Sequence, residues 1–308
     1  MVEGTSGPAG PGAISPAGRR SLEETALPAT CTPLSPDEVR TFRDGGYLIL
    51  RGAFAQEDAL AMQDEWWAEL AETHAILRDD PGTWRPIPGD LKRAKASPLQ
   101  QAILTPRVRG VMDDLLGPGE WRRPADWGRT LATFPQPDAR PERWDVPTGL
   151  WHWDSPTAWH RDALNGLFVV SFIGTVAPRG GGTLILSGSH RLLARQDAGL
   201  AAEVRDTNGR ARRKLFEGSH PWLAALTGLA PSPADRIAAF MGAGAEIDGV
   251  PVRVVELTGE PGDMVVCHPT LVHCGAPNHG AQPRFMRIRQ QLMTHEGRRR
   301  LSGAMHPR

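Results

Sequence analysis

Cysteine is scarce in this sequence, tyrosine almost absent, and neither sign of charge is in excess. Three cysteines in 308 residues, Cys31, Cys267 and Cys274, form no disulfide pattern. That excludes a disulfide-stapled secreted scaffold and fits a reducing cytosol. Lys plus Arg and Asp plus Glu each number 35, for a formal net charge of +0. Nothing in that balance draws the chain toward nucleic acid or an anionic membrane. No apolar run approaches the roughly 18 residues a membrane span needs. The N-terminus has no apolar signal core, so a cytoplasmic protein is expected. One tyrosine stands against ten tryptophans; large aromatics of this kind fill cores and line small-molecule pockets.

The sequence changes texture along its length. Residues 1–32 are rich in Gly, Pro, Ala and Ser ("MVEGTSGPAGPGAISPAG"). Such a composition buries too little surface to offset the entropy of ordering, so a disordered tail is expected. One domain is expected over residues 33–308, beginning with a helical part over 33–125. In "LSPDEVRTFRDGGYLIL", Ser35 suits an N-cap, Pro36 the first helical position, and Glu38 completes a capping box. Gly45 and Gly46 stop that helix, and "YLILRGA" reads as a strand. "QEDALAMQDEWWAELAETHAIL" predicts a second helix with an apolar stripe through Leu60, Trp67, Leu70 and Ala71. Residues 79–100 read as loop. "SPLQQAILTPRVRGVMDDLLG" reads as a helical stretch broken at Pro106 and closed by Gly117.

From about Leu131 onward, short apolar runs alternate with Gly- and Pro-rich turns. "TLATFP", "GLWHWD", "LFVVSFIGTVAP", "GTLILSGSH", "VPVRVVELT", "GDMVVC", "TLVHCG" and "RFMRIRQQLMT" each read as a strand. Eight such strands predict a mainly β domain with flanking helices, an α+β double-sheet jelly roll. Residues from about 192 to 249 interrupt the series with "HPWLAALTGL" and a basic "RARRKLF". They read as a helical insertion of the kind that forms a lid.

The segment "WHWDSPTAWHRD" holds His-x-Asp twice, at His152/Asp154 and His160/Asp162. In a chain with ten histidines, one such pair by accident is unsurprising, so the case rests on the surroundings. His152 and Asp154 stand two apart on a predicted strand and therefore project from the same face. That suits two ligands of one metal ion. "GDMVVCHPTLVHCGAPN" offers a third in His268 or His273. Two His and one carboxylate on one face of an octahedron is the donor set of non-haem Fe(II) oxygenases, which leaves positions for a 2-oxo acid and O₂. Arg284, at the start of the last strand, presents a guanidinium suited to a bidentate grip on a carboxylate. Trp153, Trp159 and Arg161 flank the metal segment as candidate substrate contacts. A small-molecule substrate is the expected partner, with no nucleic acid and no membrane.

The ordered set "WHWD", "GGGTLILSGSH", "GDMVVCHPTLVHCGAPN" and the later Arg resembles the phytanoyl-CoA dioxygenase family of Fe(II)/2-oxoglutarate-dependent oxygenases. The resemblance runs from about Leu34 and includes "FRDGGYLILRGAF". It implies a double-stranded β-helix, a cupin-like barrel, with His152, Asp154 and His273 on iron and Arg284 on 2-oxoglutarate, O₂ being the second co-substrate. It also separates the two pairs. The family leaves about a dozen residues between its His-x-Asp and the next long strand; Asp154 to Leu167 spans 13 and Asp162 to Leu167 only 5. The implied reaction is hydroxylation or related oxidation of an unactivated C–H, with release of succinate and CO₂. Two features depart from the pattern. Gly275 stands where relatives carry a Ser that helps hold 2-oxoglutarate, and no Lys occurs between Lys95 and Lys214 to supply a second common contact. Two other readings of the same residues exist. One is a cupin-type metalloenzyme that works without 2-oxoglutarate; the other is a non-catalytic jelly-roll binding protein.

Overall fold

The first helix begins where its capping box puts it. In the computed structural model, which describes residues 1, 33–154, 166–200 and 209–297, Ser35 Oγ accepts from the Glu38 amide at 3.2 Å. The Glu38 carboxylate accepts in return from the Ser35 amide at 2.8 Å. Helix α1 runs Pro36–Gly45 and stops on Gly46, whose φ of 81° is left-handed. The chain divides into two units, Met1–Thr30 and Cys31–Arg308, and the fold below is that of the second. The tail expected over residues 1–32, Met1 apart, lies outside the described residues, as do Trp159, His160, Arg161 and Asp162.

Nine strands are found among the described residues. They are β1 (Tyr47–Leu50), β2 (Arg129–Thr133), β3 (Gly166–Phe172), β4 (Thr183–Ser187), β5 (Ala245–Ile247), β6 (Val250–Glu256), β7 (Met264–Cys267), β8 (His273–Gly275) and β9 (Arg284–Leu292). One sheet has the order β1-β7-β3-β9-β2 and the other β5-β6-β4-β8. Each paired neighbour is antiparallel, as the jelly-roll expectation requires. Two details differ from the sequence expectation. "GLWHWD" contributes one isolated bridge, His152 to His273, instead of a strand. β5 arises inside the segment assigned to the insertion. Asp248 and Gly249, both at positive φ (50° and 69°), close a two-residue hairpin that pairs Ile247 with Val250. "DG" is a strong hairpin signal, so this strand was there to be read.

Three apolar layers follow from the alternation of side chains. On β3, Phe168, Val170 and Phe172 join Ile185, Val265 and Met286 between the two sheets. Leu167 and Val169 face the other way, with Met264, Val266 and Phe285, onto the helices. Covered on both faces, β3 is wholly buried, which explains its continuous apolar run. The covering helix is α2 (Gln56–His74), whose Trp66 and Trp67 meet Phe285 edge to face at 5.5 and 5.1 Å. Its buried stripe runs through Ala59, Met62, Trp66, Trp67 and Leu70. Leu60, expected on that stripe, is 40% exposed. The bulk of the two tryptophans sets which face docks and rotates Leu60 outward.

The stretch read as loop contains a short helix, α3 (Lys92–Ala96). Its first amides have no capping side chain of their own. Glu69, buried on α2, supplies one: its carboxylate accepts from Arg93 N at 3.2 Å and Ala94 N at 2.8 Å. A helix capped by a residue more than 20 positions away has no local signature. The broken helical stretch resolves into a 3₁₀ turn, Pro98–Ile103, and α4, Pro106–Leu116, with Gly117 as its C-cap.

The third layer lies outside the smaller sheet. Leu184, Leu186, Val254 and Cys274 pack there against Trp144, Trp151, Phe216, Leu223 and Phe240. The insertion is helical there: α5 (Ser189–Gly199), α6 (Gly209–Gly218), α7 (Pro221–Thr227) and a π-helical turn, Ile237–Ala243. Arg236, buried, donates to four carbonyls, those of Val146, Pro147, Ala225 and Leu226, at 2.8–3.2 Å. It ties the chain leading into "WHWD" to the insertion. No helix of the described residues is long and apolar enough to cross a membrane.

Glu69→Ala leaves two amides at the start of α3, one buried and one part-buried, without an acceptor. It should lower the free energy of unfolding by about 1–3 kcal/mol, read as a shift in the urea midpoint, with little loss of sheet signal by circular dichroism.

Candidate metal centre

The two halves of the His/Asp set come from distant parts of the chain and meet through backbone. His152 N donates to His273 O at 2.9 Å, and His273 N donates to His152 O at 2.8 Å. This reciprocal bridge sets the two imidazoles side by side, with ring centroids 4.4 Å apart. Asp154 is the third member. Its Oδ1 lies 3.6 Å from His152 Nε2 and its Oδ2 3.6 Å from His273 Nε2. One ligand atom from each of the three lies within 4.8 Å of the others.

The imidazoles are held with the same nitrogen forward. His152 Nδ1 bonds to Leu150 O at 2.7 Å and His273 Nδ1 to Leu271 O at 2.9 Å. A carbonyl only accepts, so each Nδ1 carries the proton and each Nε2 is left with its lone pair facing the carboxylate. This is the tautomer a metal needs. Burial, then the neighbouring His152, holds His273 below its ordinary pKa. That keeps it neutral and able to donate to a cation. Its ring also stacks on Phe168, centroids 4.6 Å apart. The donor set, two imidazoles and a carboxylate with no fourth ligand among the described residues, fits an open Fe(II) site.

Arg284 shares the cavity. The space measures about 560 Å³ and is lined by His152, Asp154, His273, Arg284, Thr183 and Gln290 among others. Arg284 is 7% exposed, has no carboxylate partner among the described residues, and makes one hydrogen bond, to Thr133 Oγ1 at 2.5 Å. Its Nε is buried without a partner. Burial pushes its guanidinium down to about 10. A desolvated cation of this kind is costly unless an anion joins it.

Other residues singled out in the sequence are placed elsewhere. Trp153, a candidate substrate contact, does not line this cavity. Its ring lies 6.1 Å from Phe216 and beneath the Arg212 guanidinium at 5.7 Å, against the insertion. His152 and Asp154, on either side of it in sequence, face the cavity instead. No described residue of the insertion lines the cavity either; its described helices pack on the outer face of the smaller sheet. His268 is paired with His190, ring centroids 4.8 Å apart, and accepts at Nδ1 from Thr270 N. It is not part of the ligand group. Cys274 points into the outer apolar layer, and burial pushes its thiol up to about 12. Thr133, Thr183 and Gln290 were missed. Gln290 donates to Asp154 O at 3.1 Å, and Thr133 is the cross-strand partner of Arg284. Both relations depend on strand register, which no motif displays.

Three comparisons bear on these observations. A family model described as phytanoyl-CoA dioxygenase (PhyH) matches residues 34–286. No curated protein sequence matches the chain significantly. Similar solved structures include the non-haem α-ketoglutarate-dependent carbocyclase SnoK from nogalamycin biosynthesis, at 19% identity, covering 87% of each chain with a TM-score of 0.45. HygX from Streptomyces hygroscopicus with nickel and 2-oxoglutarate bound is 14% identical, covering 85% of this chain and 88% of that one, TM-score 0.44. AviO1 from Streptomyces viridochromogenes Tue57 is 17% identical, covering 85% and 96%, TM-score 0.49.

His268 supplies a pH test of the packing beside the centre. Burial, then the neighbouring His190, pushes its pKa down from the ordinary 6.5 to about 3. The unfolded chain therefore binds a proton between those values that the folded chain refuses, and stability falls as pH drops from about 6.5 toward 3. Urea midpoints measured from pH 7 to pH 4 should decline, and His268→Gln should flatten part of that decline. An equal decline in the variant contradicts the assignment.

Proposed function

The chain belongs to the phytanoyl-CoA dioxygenase family, and from that premise we propose that it oxidises an unactivated C–H bond of a small molecule, hydroxylation being the primary outcome, while 2-oxoglutarate is converted to succinate and CO₂. It is an enzyme of the non-haem Fe(II)/2-oxoglutarate-dependent class. The observation that carries the finer reading is the pairing of two features in one cavity. An open His152/Asp154/His273 donor set faces the same space as a buried arginine with no acid of its own.

In this reading His152, Asp154 and His273 hold the iron, and Arg284 holds the far carboxylate of 2-oxoglutarate. Iron bound there supplies the activation of O₂ that is coupled to decarboxylation of the 2-oxo acid. The chain supplies the rest. Leu150 O and Leu271 O fix the imidazole tautomers. Gln290 steadies the Asp154 backbone. Thr133 aims Arg284, and the apolar layer around Phe168 keeps water from the back of His273. Asp154 bears on the outcome. Related halogenases have Gly or Ala in place of that carboxylate, which frees a position for chloride; with Asp present, oxidation is the supported reaction.

The substrate is a small molecule admitted at the open end of the cavity. Trp159 and Arg161 remain candidates for contacting it on sequence grounds. A free amino acid, a peptidyl-carrier-bound amino acid and a natural-product intermediate are the candidate classes. The fold alone does not choose between them.

The test is succinate release by Fe(II)-loaded protein supplied with 2-oxoglutarate, O₂ and a panel of compound classes. Asp154→Ala should abolish both turnover and stoichiometric metal binding, measured by equilibrium dialysis. Asp162→Ala should retain both and change only substrate affinity. The reverse pattern assigns the metal to the other His-x-Asp pair.

A further inference from the structure

His152 closes its bridge to His273, and no strand continues from it among the described residues. Asp154, two positions on, therefore has no ladder of its own to place it. Gln290 donates to its carbonyl at 3.1 Å. The residue between the two ligands, Trp153, carries a larger contact. Its ring meets Phe216 edge to face, centroids 6.1 Å apart, and lies beneath the Arg212 guanidinium at 5.7 Å. Both partners stand on α6 of the insertion. Tryptophan is the best aromatic partner for a cation, and the attraction grows where water is excluded. Arg212 is 6% exposed.

Arg212 is itself held by α5. Its guanidinium donates to the Asp197 carboxylate. The pair is incompletely satisfied, since Arg212 Nε and Asp197 Oδ1 are buried with no hydrogen-bond partner among the described residues. Taking two charges out of water costs about as much as their attraction returns, and apolar residues of similar volume are often as stable. Stability therefore does not account for the pair, whereas its position does. The same helix reaches the other half of the metal group. At its start, Ser189 Oγ accepts from Val272 N at 2.9 Å, one residue before His273. Asp197 lies farther along α5, roughly 12 Å from Ser189 at the helical rise. One end of α5 thus braces the backbone before His273. The other braces, through Asp197 and Arg212, the residue between His152 and Asp154.

We propose that Arg212 is a positioning residue for the metal group. Paired with Asp197 and seated on the Trp153 ring, it holds the segment from His152 to Asp154 where the carboxylate stands 3.6 Å from each Nε2. The inference rests on the metal reading proposed above and adds to it a role for the insertion. Arg212 does not line the cavity; it acts through Trp153. Its effect falls on metal affinity. A carboxylate free to leave the two imidazoles has to be gathered again when the ion binds, and that ordering weakens binding.

The test measures Mn(II) affinity of the full chain by equilibrium dialysis, without 2-oxoglutarate, beside the urea midpoint of each variant. Arg212→Met alone would leave Asp197 as an unpaired buried charge, so it is made together with Asp197→Asn. This paired variant should bind Mn(II) about tenfold more weakly, with a urea midpoint close to that of the unmodified protein. Trp153→Leu should weaken Mn(II) binding by a similar factor. Adding the Arg212 and Asp197 changes to Trp153→Leu should cause no further loss, because both act on one contact. Unchanged Mn(II) affinity in the folded paired variant overturns the proposal. A second tenfold loss on the Trp153→Leu background overturns it too, since Arg212 then acts by another route. So does an affinity loss that appears only with a matching fall in the urea midpoint. If the unmodified protein itself binds no Mn(II), the metal reading falls and not Arg212 alone.

Discussion

The pair of backbone hydrogen bonds between His152 and His273 is the constraint on which the site depends. The two residues lie far apart in sequence, one before β3 and the other on β8. Fixing their backbones to each other fixes the separation of their rings before any metal arrives. Asp154 then follows two positions on, close to both Nε2 atoms. The carbonyls of Leu150 and Leu271, each two residues before its histidine, orient both rings by the same local device. A metal entering this group finds two imidazoles and a carboxylate already aligned. Less ordering entropy is then lost on binding than if the ligands had to be gathered.

The rest of the fold serves that bridge. On the outside, Arg236 and the packing of Trp151 and Trp153 hold the approach to His152 against the helical insertion. On the inside, the layer between the sheets presses Phe168 onto His273. The larger sheet contributes Arg284, whose charge is buried without a counter-ion among the described residues. Such a cation destabilises the empty protein and is stabilised once an anion enters. The cost of that burial is therefore coupled to co-substrate affinity.

Much of this was legible in the sequence because it is local. The capping box at Ser35, the strand texture after Leu131 and the same-face spacing of His152 and Asp154 each sit within a few residues. Long-range relations were not legible. Glu69 caps α3 across more than 20 positions, Thr133 meets Arg284 only through the β2–β9 register, and Thr183 faces Gly275 only through β4–β8. Trp153 shows the limit from the other side. Its neighbours in sequence, His152 and Asp154, face the cavity, yet its own ring packs against the insertion. The described helices of the insertion likewise find their place by burial, their apolar residues matching the outer face of the smaller sheet.

The central claim is that one cavity holds a metal through His152, Asp154 and His273 and a 2-oxo dicarboxylate through Arg284, the second needing the first in place. Titration of 2-oxoglutarate under anaerobic conditions, with and without Mn(II), tests it most directly. The account predicts one molecule bound per chain with metal, markedly weaker binding without it, and loss of binding in Arg284→Gln while the metal is retained. Binding that ignores the metal, or that survives removal of the Arg284 guanidinium, would contradict it.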